Sequence, residues 1–159
     1  MLATLPTRQF VPNDFNPADL AQVIPLHESL LNRPIASTTE LERWLLDASE
    51  LSSVLDEYGA RRYVDKSCHT DDKQLEARYM QFVEEIEPKI KPLFFELQKK
   101  YLATPFRAGL ESKRYAILDR KWQADVELFR PENVPLETQV IQLNNEYDKI
   151  MGAMTIGFE

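Results

Sequence analysis

The chain has 159 residues, 43% hydrophobic and 28% charged, with a net charge of −7 at neutral pH. That length supports one domain with its own core, burying roughly two-thirds of the surface the unfolded chain exposes. The acidic balance, with basic residues only in isolated pairs such as Arg61-Arg62 and Lys99-Lys100, disfavours nucleic acid as a partner, because phosphate binding depends on clustered Lys and Arg.

One cysteine, Cys68, cannot form an internal disulfide and suits a reducing compartment, so a cytoplasmic location is expected. The N-terminus has neither a basic leader nor a sustained apolar run, and a secretory signal is not expected. No stretch approaches the roughly 20 apolar residues of a membrane span, so no membrane partner is expected. Four glycines against ten prolines point to long helices with few glycine turns.

Residues 1–15 carry two prolines and no clean period, and read as an extended arm with Phe10, Val11 and Phe15 as docking points. Asn16-Pro17 then supplies an N-cap and a first-turn proline for a helix running to about Asn32. Its apolar side is Leu20, Val23, Ile24, Leu30 and Leu31. Pro25 is expected to bend it, and Arg33-Pro34 to end it.

Thr38 or Thr39 opens a second helix whose stripe Leu41, Trp44, Ala48, Leu51, Leu55 and Tyr58 steps by three and four. Gly59 weakens it by about 1 kcal/mol relative to alanine. Glu57 and Arg61, four apart, support continuation to about His69. The next helix, which the other helices are expected to cover, runs from an expected cap at Thr70 to Tyr101. Leu75, Tyr79, Phe82, Ile86, Ile90, Leu93, Leu97 and Tyr101 mark its inward face. At 1.5 Å per residue it would span about 47 Å, and the short connection before it predicts a hairpin with the second helix. Pro88 and Pro92 predict a bend near residues 84–92.

A fourth helix, about Ser112 to Arg130, should bury Tyr115, Leu118, Trp122, Val126 and Phe129. A fifth begins near Pro135, where Leu136, Val140, Leu143, Tyr147, Ile150 and Met154 form a heptad-like seam. Residues 155–159 alternate like the first half of a β-hairpin whose other half is missing, which suggests a longer parent. The expected architecture is all-α: an elongated antiparallel bundle of about five helices over residues 16–154, with a bent central helix and a short strand-like tail.

No arrangement of residues reads as a catalytic, cofactor-binding or metal site. Glu84, Glu85 and Glu87 sit beside the expected bend, but Glu85–Lys89 and Glu87–Lys91 are spaced for surface ion pairs. Adjacent helical residues diverge by about 100°, so Cys68 and His69 do not meet as a nucleophile pair; Cys68 is expected to pack and His69 to sit near a helix end. His27-Glu28 would open a zinc-binding HExxH only if residue 31 were histidine, and it is Leu31. Trp44, Trp122 and the six tyrosines are read as core. Arg61, Arg62 and Arg78 are read as a solvated face, with carboxylate binding the rarer alternative.

Four segments resemble the N-terminal region of the oligoendopeptidase F family of zinc metallopeptidases, relatives of thimet oligopeptidase. They are RQFVPNDFNPADL (8–20), LERWLLDASELSSVLDEYGARRYVDKSCHTDD (41–72), FVEEIEPKIKPL (82–93) and ENVPLETQVIQLNNEYDKIMGAMTIGFE (132–159). The resemblance implies a parent peptidase that hydrolyses short peptides with a zinc held by HExxH and a later glutamate, all beyond Glu159. It implies that this part forms a channel wall and scaffold, with the C-terminal catalytic domain of the same polypeptide as its partner. Alone, the chain is expected to be inactive, to bind no zinc, and to leave an apolar face with residues such as Val140, Tyr147, Met151 or Ile156 uncovered or closed by self-association. The rival reading is a free-standing helical adaptor that binds a partner helix through its seam.

Overall fold

A computed structural model describes residues 8–155 and 157. Six α-helices follow in order: α1 (Leu20–Asn32), α2 (Thr38–Cys68), α3 (Lys73–Gln81), α4 (Glu87–Ala103), α5 (Ser112–Leu128) and α6 (Asn133–Gly152). A π-helical turn at Phe82–Ile86 joins α3 to α4, so the two run on as the single central helix. The protein is an all-α helical bundle, and among the described residues no helix is long and apolar enough to cross a membrane. The tail expected to be strand-like is irregular at Met154, Thr155 and Gly157, while Ile156, Phe158 and Glu159 lie outside the described residues.

Two helices start later than their first candidate caps. Asn16 accepts from the Ala18 amide in a local turn, and it is Asp19 that caps α1 through the Ala21 amide. Thr70 gives way to Asp72, whose carboxylate takes the amides of Gln74 and Leu75. In both places the aspartate adds a charge that the helix dipole favours. Ser37 caps α2 at the Glu40 amide. Helix α6 starts at Asn133, two residues before Pro135, whose missing N–H is harmless in a first turn.

The core centres on α2, where Leu41, Trp44, Ala48, Leu51 and Leu55 are buried at the predicted spacing. Trp122 of α5 meets Trp44, Phe94 and Tyr101 edge-on, with centroids 6.4, 5.8 and 5.0 Å away, the geometry that aromatic quadrupoles prefer. The Trp44 indole donates to the Leu30 carbonyl at 2.9 Å, and Lys100 donates to the carbonyls of Leu30, Leu31 and Arg33. Together they satisfy carbonyls that the end of α1 leaves without helical partners. Burial, and secondarily Arg33, holds the Lys100 amine below its usual pKa. Burial, then Asp119, pushes the Tyr101 phenol up to about 12.

The π turn lies at and just before the expected bend. Pro88 has no N–H for the Glu84 carbonyl, and the widened turn instead bonds the Glu87 amide to Phe82. The extra residue turns Phe82, Val83 and Ile86 all inward. Phe82 lies against Gly59, where an added Cβ would come within 2.8 Å of its ring. The glycine in α2 thus permits close approach of the central helix.

Before α1, Val11 and Phe15 are buried. Glu50 receives the amides of Gln9, Phe10 and Val11 at 2.8–3.1 Å. Burial alone would raise the Glu50 carboxyl, but the amides of Val11, Gln9 and Phe10, with the Arg8 charge, outweigh it and hold its pKa below the usual range.

Candidate functional site

Helix α6 has two chemically opposite sides. Its seam residues Leu136, Val140, Leu143, Tyr147, Ile150 and Met154, with Met151 beside them, are 48–67% exposed. Single exposed apolar residues are ordinary, but five at heptad spacing along one helix, with Met154 just past its end, make a continuous apolar face of the kind that marks interaction sites. Val140, Tyr147 and Met151, three of the residues expected to be uncovered, belong to it. Ile156 lies outside the described residues.

The other side of α6 is fastened to the bundle by polar contacts around Lys66. This lysine is buried, donates to Asn145 Oδ1 at 2.8 Å and pairs with Asp148 at 3.2 Å. Its ammonium also lies 5.1 Å from the ring centres of both Tyr63 and Tyr79. Asn145 passes the connection on, donating to Glu76 at 2.8 Å, and Glu76 is paired with Lys149 at 3.0 Å. Two cations and two anions balance, so the cluster carries no net charge into the interface. The hydrogen bond from Lys149 comes first among the influences that hold the Glu76 carboxyl below its usual range, and it prevails with Asn145 over partial burial. Farther along, Lys91 of α4 bridges Glu87 and Glu137, and Gln142 donates to Glu84 at 2.8 Å.

Two concavities border α6. One of about 300 Å³ lies between α2, α3 and α6 over the Lys66 cluster. The other, about 450 Å³ and open, runs between α4 and α6 past Lys91, Leu136 and Val140. The first is lined by charged groups already paired with one another. The second is lined mainly by α6 itself, with Leu136, Val140 and Ile141 beside the Lys91–Glu137 pair. Neither brings a nucleophile together with a base, and the arrangement serves packing rather than bond making.

The residues weighed in the sequence are dispersed. Glu87 pairs with Lys91 as its spacing predicts, whereas Glu85 accepts from Gln81 at 3.4 Å and Glu84 serves α6. Arg61 pairs with Glu57 at 2.7 Å. Arg62 lies over Tyr58 and bonds Asp65, and its Nε is buried without a partner. Cys68, expected to pack, is exposed at the last turn of α2, because the chain leaves the bundle surface there. His69 follows as the C-cap, with its Nδ1 3.1 Å from the Asp65 carbonyl. His27 is buried with Nδ1 3.0 Å from the Val23 carbonyl, and burial lowers its pKa. Each histidine is tied to its own helix, and among the described residues no three His, Cys, Asp or Glu side chains converge to hold a metal.

The fold and this face together define an all-α helical bundle with one long helix exposed along an apolar face. The Peptidase M3 N-terminal domain family matches residues 10–129. The match spans α1 to α5, most of the chain, and the chain belongs to that family: it is the N-terminal domain of an M3-type peptidase. No curated protein and no solved structure gives a match.

Proposed function

We propose that this domain serves an oligoendopeptidase F-type peptidase as scaffold and channel wall, seating against the zinc-bearing catalytic region of the same polypeptide through the outer face of α6. The observation that carries this reading is the heptad seam left uncovered on a helix whose opposite side is firmly anchored. The resemblance of the four segments supports the oligoendopeptidase F assignment within the family. In this reading the zinc, its HExxH histidines and the water-activating glutamate belong to the catalytic region, and short peptides are the substrates of the whole enzyme. The domain contributes shape and exclusion of folded chains, which needs no reactive side chain. A cytoplasmic location accompanies the proposal, in keeping with the single free cysteine.

Metal analysis and a peptidase assay on the purified 159-residue chain test the division of labour. The expected result is less than stoichiometric zinc and no cleavage of short fluorogenic peptides. One tightly bound zinc per chain, with chelator-sensitive cleavage, would overturn it. The adaptor reading draws on the same exposed seam and differs in its partner: it requires specific binding of an unrelated amphipathic helix.

A further inference from the structure

We propose that the C-terminal half of α6, residues 143–152, is a polar catch that lifts off the α2–α3 hairpin while the N-terminal half of the helix stays packed. The two halves are held by different chemistry. Toward the start of α6 the inward residues are buried Val134 and half-buried Thr138 and Ile141, so apolar surface resists separation there. From residue 143 to 152 only Asn145 is buried, and every other residue is exposed. This half is held by Asn145, Asp148 and Lys149 through their bonds to Lys66 and Glu76, with Gly152 resting on Thr70.

An interface of this kind separates at little cost. The cavity of about 300 Å³ lies within it, lined by Tyr63, Lys66, Glu76, Asn145 and Asp148 among others, and a polar space of that size admits water to each bond as it breaks. Lys66 is not stranded by the release. The rings of Tyr63 and Tyr79, on α2 and α3, stay with it at 5.1 Å when Asn145 and Asp148 leave. Asp148 and Lys149 are 47% and 52% exposed, and ion pairs so placed contribute little and are screened by salt. Leu143, Tyr147 and Ile150 ride on this half, so the catch sets where the far part of the apolar face points, and a partner that prefers one position shifts the balance toward it. That use rests on the docking reading of α6; the catch itself does not.

Amide hydrogen exchange on the 159-residue chain, with a disulfide that locks the catch, tests it. A Cβ at Gly152 would lie 3.5 Å from the Thr70 Cβ, within the range a disulfide spans. Thr70→Cys with Gly152→Cys, and Cys68→Ser to remove the native thiol, should therefore pair on oxidation. In the reduced protein, amides 146–149 should exchange about tenfold faster, relative to amides 138–141, when salt is raised from about 0.01 M to about 1 M and the screening length falls from about 30 Å to about 3 Å. The oxidised protein should show no such change. Lys149→Gln in the otherwise unaltered chain removes the pair with Glu76 and should speed the same amides at low salt. Amides 146–149 that keep pace with 138–141 at both salt concentrations would overturn the proposal. So would a salt response that survives oxidation, or a Lys149→Gln protein that exchanges like the wild type. These measurements contain no catalytic region, so a failed catch is distinguishable from a failed docking reading, which shows only when that region is added.

Discussion

At Glu50 one carboxylate receives three consecutive backbone amides and so ties the segment before α1 to the middle of α2. Replacing it by alanine leaves those amides without their acceptor and should cost about 1–3 kcal/mol, read as a lower urea midpoint and faster proteolysis near residue 10. Because folding depresses its pKa, the contribution is complete above the unfolded value of about 4.3 and is lost as pH falls through the folded one. The Glu50→Ala protein should accordingly lose less stability on acidification than the wild type. Gly59 makes the opposite kind of prediction. Alanine there gains about 1 kcal/mol of helix propensity, yet its Cβ would sit 2.8 Å from the buried Phe82 ring. The ring has to move, so Gly59→Ala should be net destabilising in urea unfolding, where an exposed helical glycine would show stabilisation. From sequence Gly59 looked only like a weak point, because its reason is a contact with a residue 23 positions away.

Among the elements, α6 is the clearest case of what pattern conveys and what it omits. Its steps of four and three are legible in the sequence, and the helix is there. Periodicity cannot say whether a stripe faces a core or solvent, and here the stripe faces out while Val134 and Asn145 face in. The bonds that set this orientation join Lys66 to Asn145 and Asp148, 79 and 82 residues apart, with no local signal to announce them. Asn145→Ala should cost about 1–3 kcal/mol, since it leaves buried Lys66 with one fewer acceptor. Hydrogen exchange should show α6 amides losing protection before those of α2 around Leu51. Equal loss in both helices would contradict the view that this network fastens α6 specifically. The caps of α1 and the central helix were missed for a related reason: Asn16 and Asp19, or Thr70 and Asp72, are competing candidates that only the folded backbone separates. The π turn was legible as an irregularity, from Pro88 and Pro92, but not as a widened turn.

For the whole molecule, the stripes of five long helical stretches were enough to read the all-α architecture. The family match over residues 10–129 places the chain as an M3 peptidase N-terminal domain on independent grounds. Burial shows Trp122 enclosed among Trp44, Phe94 and Tyr101, and leaves Val140, Tyr147 and Met151 of α6 exposed, as the resemblance led one to expect.

The most direct test is to mix the purified chain with a separately produced HExxH-bearing region of an oligoendopeptidase F-type peptidase and determine the mass of the complex by light scattering. A complex of one chain with one catalytic region, lost in Leu143→Glu and retained in Ile117→Glu, a change at an exposed position of α5, is the predicted result. No complex with the wild-type chain, or one that Leu143→Glu leaves intact, would contradict the assignment of the α6 face as the seat of the catalytic region.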